Sequence, residues 1–155
     1  MTLLRPARQD DLEFLLAAEA AACDAGFVSA NSREEHLAAM ASPDAAYFII
    51  GDRQGYAIFL GLRSPHHALE LKRVVITEPG KGLGRRVFAE LLRYAFEQRQ
   101  AHRLYFDAFD DNARALHLYR SLGFREEGVL REAGLRRDGY RNLVMFSMLA
   151  AEYRP

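Results

Sequence analysis

LELKRVVITEPGKGLGRRVFAELLRYAF, running from Leu69 to Phe96, holds a strand, a glycine-rich turn and a helix in immediate succession. Leu69 to Thr77 is rich in β-branched residues and has the length of a strand. Gly80-Lys81-Gly82-Leu83-Gly84 follows, and a helical period starts at once. Leu83, Val87, Leu91 and Ala95 recur every four residues beside Phe88, Leu92 and Phe96, which predicts one broad apolar face. Arg85, Arg86, Glu90, Arg93 and Glu97 fall on the other face, with Arg86/Glu90 and Arg93/Glu97 as i,i+4 ion pairs.

A helix leaves about four N–H groups without partners in its first turn, and its dipole places roughly half a positive charge there. Glycine lets backbone approach a ligand closely and adopt positive φ. Lys81, Arg85 and Arg86 add formal charge at the same place, so Lys81 to Arg86 forms an anion site suited to a phosphate or pyrophosphate. A plain capping turn would need the same glycines. The spacing excludes Gly-x-x-x-x-Gly-Lys-Ser/Thr and matches Gly-x-Gly-x-x-Gly poorly.

A second segment, Asp111-Asn112-Ala113-Arg114-Ala115-Leu116-His117-Leu118-Tyr119-Arg120-Ser121-Leu122-Gly123-Phe124, follows a strand at Arg103–Phe109. Asn112 and Tyr119 stand two helical turns apart on one face, with Leu116 between them. Taken alone, Tyr119 fits a core tyrosine with a tethered hydroxyl, and Asn112 fits a helix cap.

Together the two segments resemble the GNAT superfamily of N-acetyltransferases. Its acyl-CoA loop is Gln/Arg-x-x-Gly-x-Gly/Ala. Gly82 and Gly84 fill the last positions, while Pro79 replaces the first. Its later segment, Asn-x-x-Ala-x-x-x-Tyr-x-x-x-Gly-Phe, is met by Asn112, Ala115, Tyr119, Gly123 and Phe124. The resemblance runs from Tyr47 to the C-terminus and is weakest over residues 1–45. It lies nearest the ribosomal-protein N-terminal and polyamine acetyltransferase groups.

The resemblance implies an α+β fold: a mixed, mostly antiparallel sheet of about seven strands with helices on both faces. It implies acetyl-CoA as co-substrate, no metal, and direct attack of an amine on the thioester. The loop Lys81, Gly82, Leu83, Gly84, Arg85 and Arg86 would hold the pyrophosphate. Backbone N–H groups of Val74, Val75 or Ile76 would meet the developing oxyanion. Tyr119 would protonate the leaving thiolate, and Asn112 and Leu116 would line the pantetheine arm. Glu70 is the candidate base; the other reading pairs it with Lys72 or an arginine. Glu19, His36, His66 and His67 are further candidates, each expected as an exposed polar residue. The acceptor would be a peptide N-terminus, a polyamine or another small amine. A non-catalytic acyl-CoA sensor of the same fold is the alternative.

The remaining chain fits that frame. Its 155 residues suit a single domain spanning 1–155. Half are apolar, 27% are charged, and the net charge is zero, which argues against nucleic-acid and membrane partners. One cysteine, Cys23, excludes an internal disulfide and suggests a cytoplasmic setting. Strands are expected at 2–8, 47–50, 56–62, 124–132 and 140–149. Helices are expected at 10–22, from an Asp10/Glu13 signature, at 32–40, from a Ser32/Glu35 capping box, and at 112–121, capped by Asp110 or Asp111. Loops 24–32 and 132–139 would line the acceptor side. The terminal strands could pair between chains as a homodimer.

Overall fold

The computed structural model describes residues 2–155. Seven strands form one sheet in the order β1-β2-β3-β4-β5-β7-β6. They are β1 (Leu4–Pro6), β2 (Ala45–Ile50), β3 (Gly55–Leu60), β4 (Ala68–Ile76), β5 (Arg103–Phe109), β6 (Arg125–Arg136) and β7 (Gly139–Leu149). Helices α1 (Leu12–Asp24) and α2 (Arg33–Ala41) precede β2. Helix α3 (Leu83–Arg93) joins β4 to β5, and α4 (Ala113–Ser121) joins β5 to β6. β4 and β5, joined through α3, are the only neighbouring strands that pair in parallel.

The expected elements are all present, with several boundaries corrected. The first helix starts from a 3-10 turn at Gln9–Asp11, and Asp11 rather than Asp10 organises it. The Asp11 carboxylate accepts the Arg8 N–H at 2.8 Å and a bidentate pair from Arg5 at 2.8 Å. The Ser32/Glu35 capping box stands as read. The last helix is capped by Asn112, whose side chain accepts from Ala115 N–H at 3.4 Å, not by Asp110 or Asp111. The central helix loosens into a π turn over Tyr94–Gln98. The final hairpin extends until only Arg137 and Asp138 remain as its turn.

The two faces of the sheet carry different cores. Under α3 and α4, Val87, Leu91 and Ala95 pack on Phe59, Leu69, Leu71, Leu104 and Phe146. Under α1, Leu15 and Ala18 pack on Ile49, Tyr56, Ile58 and Val75. Each such side chain contributes about 1.5–3 kcal/mol when fully buried.

One irregularity sets which way the side chains of β4 face. Phe59 pairs with Leu71 and Ile58 with Arg73, so Lys72 is an extra residue in the strand. An extra residue reverses the facing of every side chain downstream. Leu69 and Leu71 therefore face α3, whereas Arg73 and Val75 face α1. Val74 and Ile76 take over the α3 side.

Candidate active site

β4 and β5 pair only from Ala68/Arg103 to Glu70/Tyr105. Beyond that point β4 stays with β3 to Ile76, and β5 stays with β7 to Phe109. The sheet splits between them, and a cavity of about 390 Å³ fills the gap. Leu71 to Val74 form one wall and Phe106 to Phe109 the other. Phe88, Asn112 and Tyr119 close the α3/α4 side, and Phe27, Val28 and Ser29 border the α1 side. Gly134, Leu135 and Leu143 of the β6–β7 hairpin complete it.

Backbone polar groups alternate in direction along a strand. Thr77 N–H donates to Gln54 C=O at 3.0 Å, on the β3 side. Val75 points the same way, so its N–H leaves the list of oxyanion donors. Val74 and Ile76 turn theirs toward the side that β5 has vacated.

Tyr119 sits in an aromatic box. Its ring centroid lies 4.6 Å from Phe106 and 5.3 Å from both Phe88 and Phe146. Its ring borders the cavity, and among the described residues its hydroxyl has no side-chain hydrogen bond. Tyr119 therefore packs against the core, as a core tyrosine would, without the tether on its hydroxyl. Burial pushes the phenol up to about 12, so it holds its proton across the neutral range.

The glycine turn is open. Gly80 and Gly82 have φ of +98° and +73°, and a Cβ on Gly82 would meet nothing within 4 Å. Gly82 is the N-cap of α3 and supplies no side-chain cap, so the first N–H groups of the helix face outward. Leu83 contributes backbone there while its side chain enters the core. Gly84 packs closely: a Cβ would stand 3.3 Å from Leu118 Cδ2, so that leucine would have to shift. Lys81 pairs with Glu78 at 2.7 Å on the surface, and Arg85 donates to Ser121 at 2.8 Å. Arg86 is exposed. Arg114, absent from the sequence-based candidates, places its guanidinium over Gly80, 3.6 Å from where a Cβ would be. Open backbone, donors and cations together fit a pyrophosphate.

Several candidates move. Leu116 is buried in the core beneath α4 and does not line the cavity. Glu70 lies outside the cavity lining, with its carboxylate 3.8 Å from Lys72 Nζ, as in the paired reading. His66 and His67 are exposed. Glu19 and His36, expected at the surface, are almost fully buried together. The Glu19 carboxylate accepts from His36 Nε2 at 2.9 Å, Tyr56 Oη at 2.9 Å, Asn31 N–H at 2.8 Å and Arg73 Nη1 at 2.5 Å. Burial pushes Glu19 up, but the His36, Asn31, Arg73 and Tyr56 contacts outweigh it and leave the carboxyl below its ordinary range.

Sequence reading missed Asp107. It lies in the Arg103–Phe109 strand, where alternation suggests only a solvated strand face. The split turns that face into a cavity wall. The carboxyl stays open through the mouth while protein surrounds its other sides. That desolvation raises it above the usual Asp value, against the opposing pull of Lys72 and Arg73.

Comparison with known proteins agrees with this geometry. The family description "Acetyltransferase (GNAT) family" matches residues 5–124. The chain is 28% identical over 104 residues to a spermidine N(1)-acetyltransferase of Escherichia coli K12, covering 66% of this chain and 56% of that protein. It is 28% identical over 111 residues to the corresponding Vibrio cholerae enzyme, covering 68% and 64%. The aligned region thus spans less than two thirds of these relatives. A crystal structure of spermidine N-acetyltransferase from Vibrio cholerae in complex with CoA and spermine superposes with a TM-score of 0.84 at 24% identity, covering 97% of this chain and 96% of that one. No helix among the described residues is long and apolar enough to cross a membrane. The matched segment takes in the split sheet, the glycine turn and the Asn112–Tyr119 helix, and the chain belongs to the GNAT family of acetyltransferases.

Proposed function

We propose that residues 1–155 act as one domain that transfers an acetyl group from acetyl-CoA to a primary amine: a peptide N-terminus, a polyamine or another small amine. The observation that carries this reading is the cavity through the sheet, with the Tyr119 phenol on one side and the open Gly82 turn beyond it. The pyrophosphate rests on the N–H groups opening α3, with Arg86 and Arg114 nearby. The pantetheine arm passes Asn112 and brings the thioester to the gap between β4 and β5.

An amine entering from the α1 side attacks the carbonyl carbon, forming N–C and breaking C–S. The oxyanion takes a hydrogen bond from Val74 or Ile76 N–H. The leaving thiolate takes the Tyr119 proton. Its own basicity rises in the same apolar box, which offsets the raised phenol. The proton lost by the ammonium passes to Asp107 or to water; Asp107 replaces Glu70 in this role because it borders the cavity. Holding both reactants in one gap supplies much of the remaining acceleration.

The test is thiol release from acetyl-CoA with the purified chain and a panel of amines. Release above the amine-free control supports transfer. Tight acetyl-CoA binding with no release for any amine supports the non-catalytic sensor instead.

A further inference from the structure

Three formal charges border the cavity: Lys72, Arg73 and Asp107. The Lys72 bulge sends Arg73 toward α1, on the acceptor side of the split. Arg73 is only 8% exposed. Its Nη1 is held by Glu19 at 2.5 Å and by Asn31 Oδ1 at 3.2 Å. The guanidinium also acts on the buried Tyr56 phenol, and Glu19 is the only carboxylate that it reaches among the described residues. Arg73 lines the cavity, so the part of its guanidinium that Glu19 and Asn31 do not hold is the part an occupant can meet. Glu19 stands behind it, enclosed by His36, Tyr56 and Asn31, and is out of reach of a substrate.

Asp107 is the only carboxylate on the lining itself, while Glu19 compensates Arg73 from behind, so the cavity meets the positive end of that pair beside Lys72. A polyamine carries no anion to accept from Arg73 or Lys72 and could use only Asp107 on this lining. A molecule with one ammonium and one anion matches the wall: the amine toward Asp107, the anion toward Arg73 and Lys72. Phe27, Val28 and Leu135 add apolar surface at the mouth.

Resting on the acetyl-transfer reading, we propose that the acceptor is a small zwitterion of the apolar amino-acid class, whose carboxylate docks on Arg73. The anion fixes the acceptor so that its amine faces the thioester, and Arg73 determines specificity without touching the reacting atoms.

The experiment uses the full chain, acetyl-CoA and thiol release. The common amino acids are each compared with their carboxamides, beside spermidine and spermine. The free acids should be used with kcat/KM roughly tenfold or more above their amides. An amide's amine is less basic, which favours the amide in solution, so preference for the acid reads the anion site directly. Equal use of acid and amide, or preference for polyamines, overturns the inference and leaves amine transfer standing. No release with any amine overturns both. Arg73→Lys keeps a charge beside Glu19 but loses the fork. It should erase the acid-over-amide preference, with acetyl-CoA affinity unchanged and a cooperative melt confirming the fold. An undiminished preference in that variant also overturns the inference.

Discussion

Glu19 and Arg73, 54 positions apart in sequence, meet at 2.5 Å with both side chains almost completely buried. The pair ties α1 to β4 directly after its bulge, and through Asn31 it also ties down the loop before α2. Glu19→Gln keeps the shape and removes the charge, leaving a buried guanidinium uncompensated. The expected loss is about 3 kcal/mol of unfolding free energy, or roughly 6–12 °C in melting temperature. Chemical and thermal denaturation of the variant check it.

Acid should unfold the protein through two carboxylates. Asp11 is held well below the usual carboxylate range by its Arg5 hydrogen bonds, against its burial, with Arg8 N–H and Arg53 assisting. Glu19 is also lowered: burial raises it, and its contacts to His36, Asn31, Arg73 and Tyr56 more than offset that. A carboxyl depressed in the folded state stabilises fully above its unfolded value, near about pH 4, and loses that contribution as pH falls toward the folded value. Stability should therefore drop steeply below about pH 4. Asp11→Asn should flatten the drop, measured by denaturant midpoints across pH.

Tyr119→Phe removes one hydroxyl from an aromatic box that the phenylalanine ring still fills. Turnover should fall roughly 10²-fold, the scale of a lost proton donor, while acetyl-CoA affinity stays near wild type. Steady-state kinetics with isothermal titration separate the two. Unchanged turnover would remove Tyr119 from the chemistry.

Asp107 carries a carboxyl raised above the ordinary Asp value by desolvation. Serving as base, it makes kcat/KM fall on the acid side of its own titration, at higher pH than a solvated aspartate would. Asp107→Asn should lower kcat/KM and remove that limb, read from the pH profile.

Gly82 needs its φ of +73° more than its lack of volume, since a Cβ there meets nothing. Gly82→Ala should cost about 1 kcal/mol in stability from the left-handed backbone alone. The added methyl also projects into the pyrophosphate path, so acetyl-CoA affinity should fall roughly tenfold or more. Calorimetry and titration measure the two effects independently.

The parts legible in sequence were those set by local chemistry. Gly80 to Gly84 announce a turn opening a helix because positive φ and close approach need glycine. Asn112 and Tyr119 share a helical face because seven residues make two turns. The parts set by pairing were not legible. Nothing in Leu71-Lys72-Arg73 marks Lys72 as an extra residue, yet that residue decides that Arg73 points toward α1. Glu19 and His36 read as surface residues because their partners, Tyr56 and Arg73, lie far along the chain. Asp107 looks like one polar residue of an alternating strand until β4 parts from β5. Glu70 reads as a central carboxylate for the opposite reason: it sits at the last rung before the strands part.

The odd residue in β4 also constrains how this chain can change. Deleting Lys72 would restore a regular ladder and turn Arg73 over, stranding Glu19 in the interior and handing Val75 to the wrong layer. A descendant could not discard the kink without discarding the buried ionic anchor as well. Strand register and buried charge are therefore coupled, so a change in one demands a change in the other.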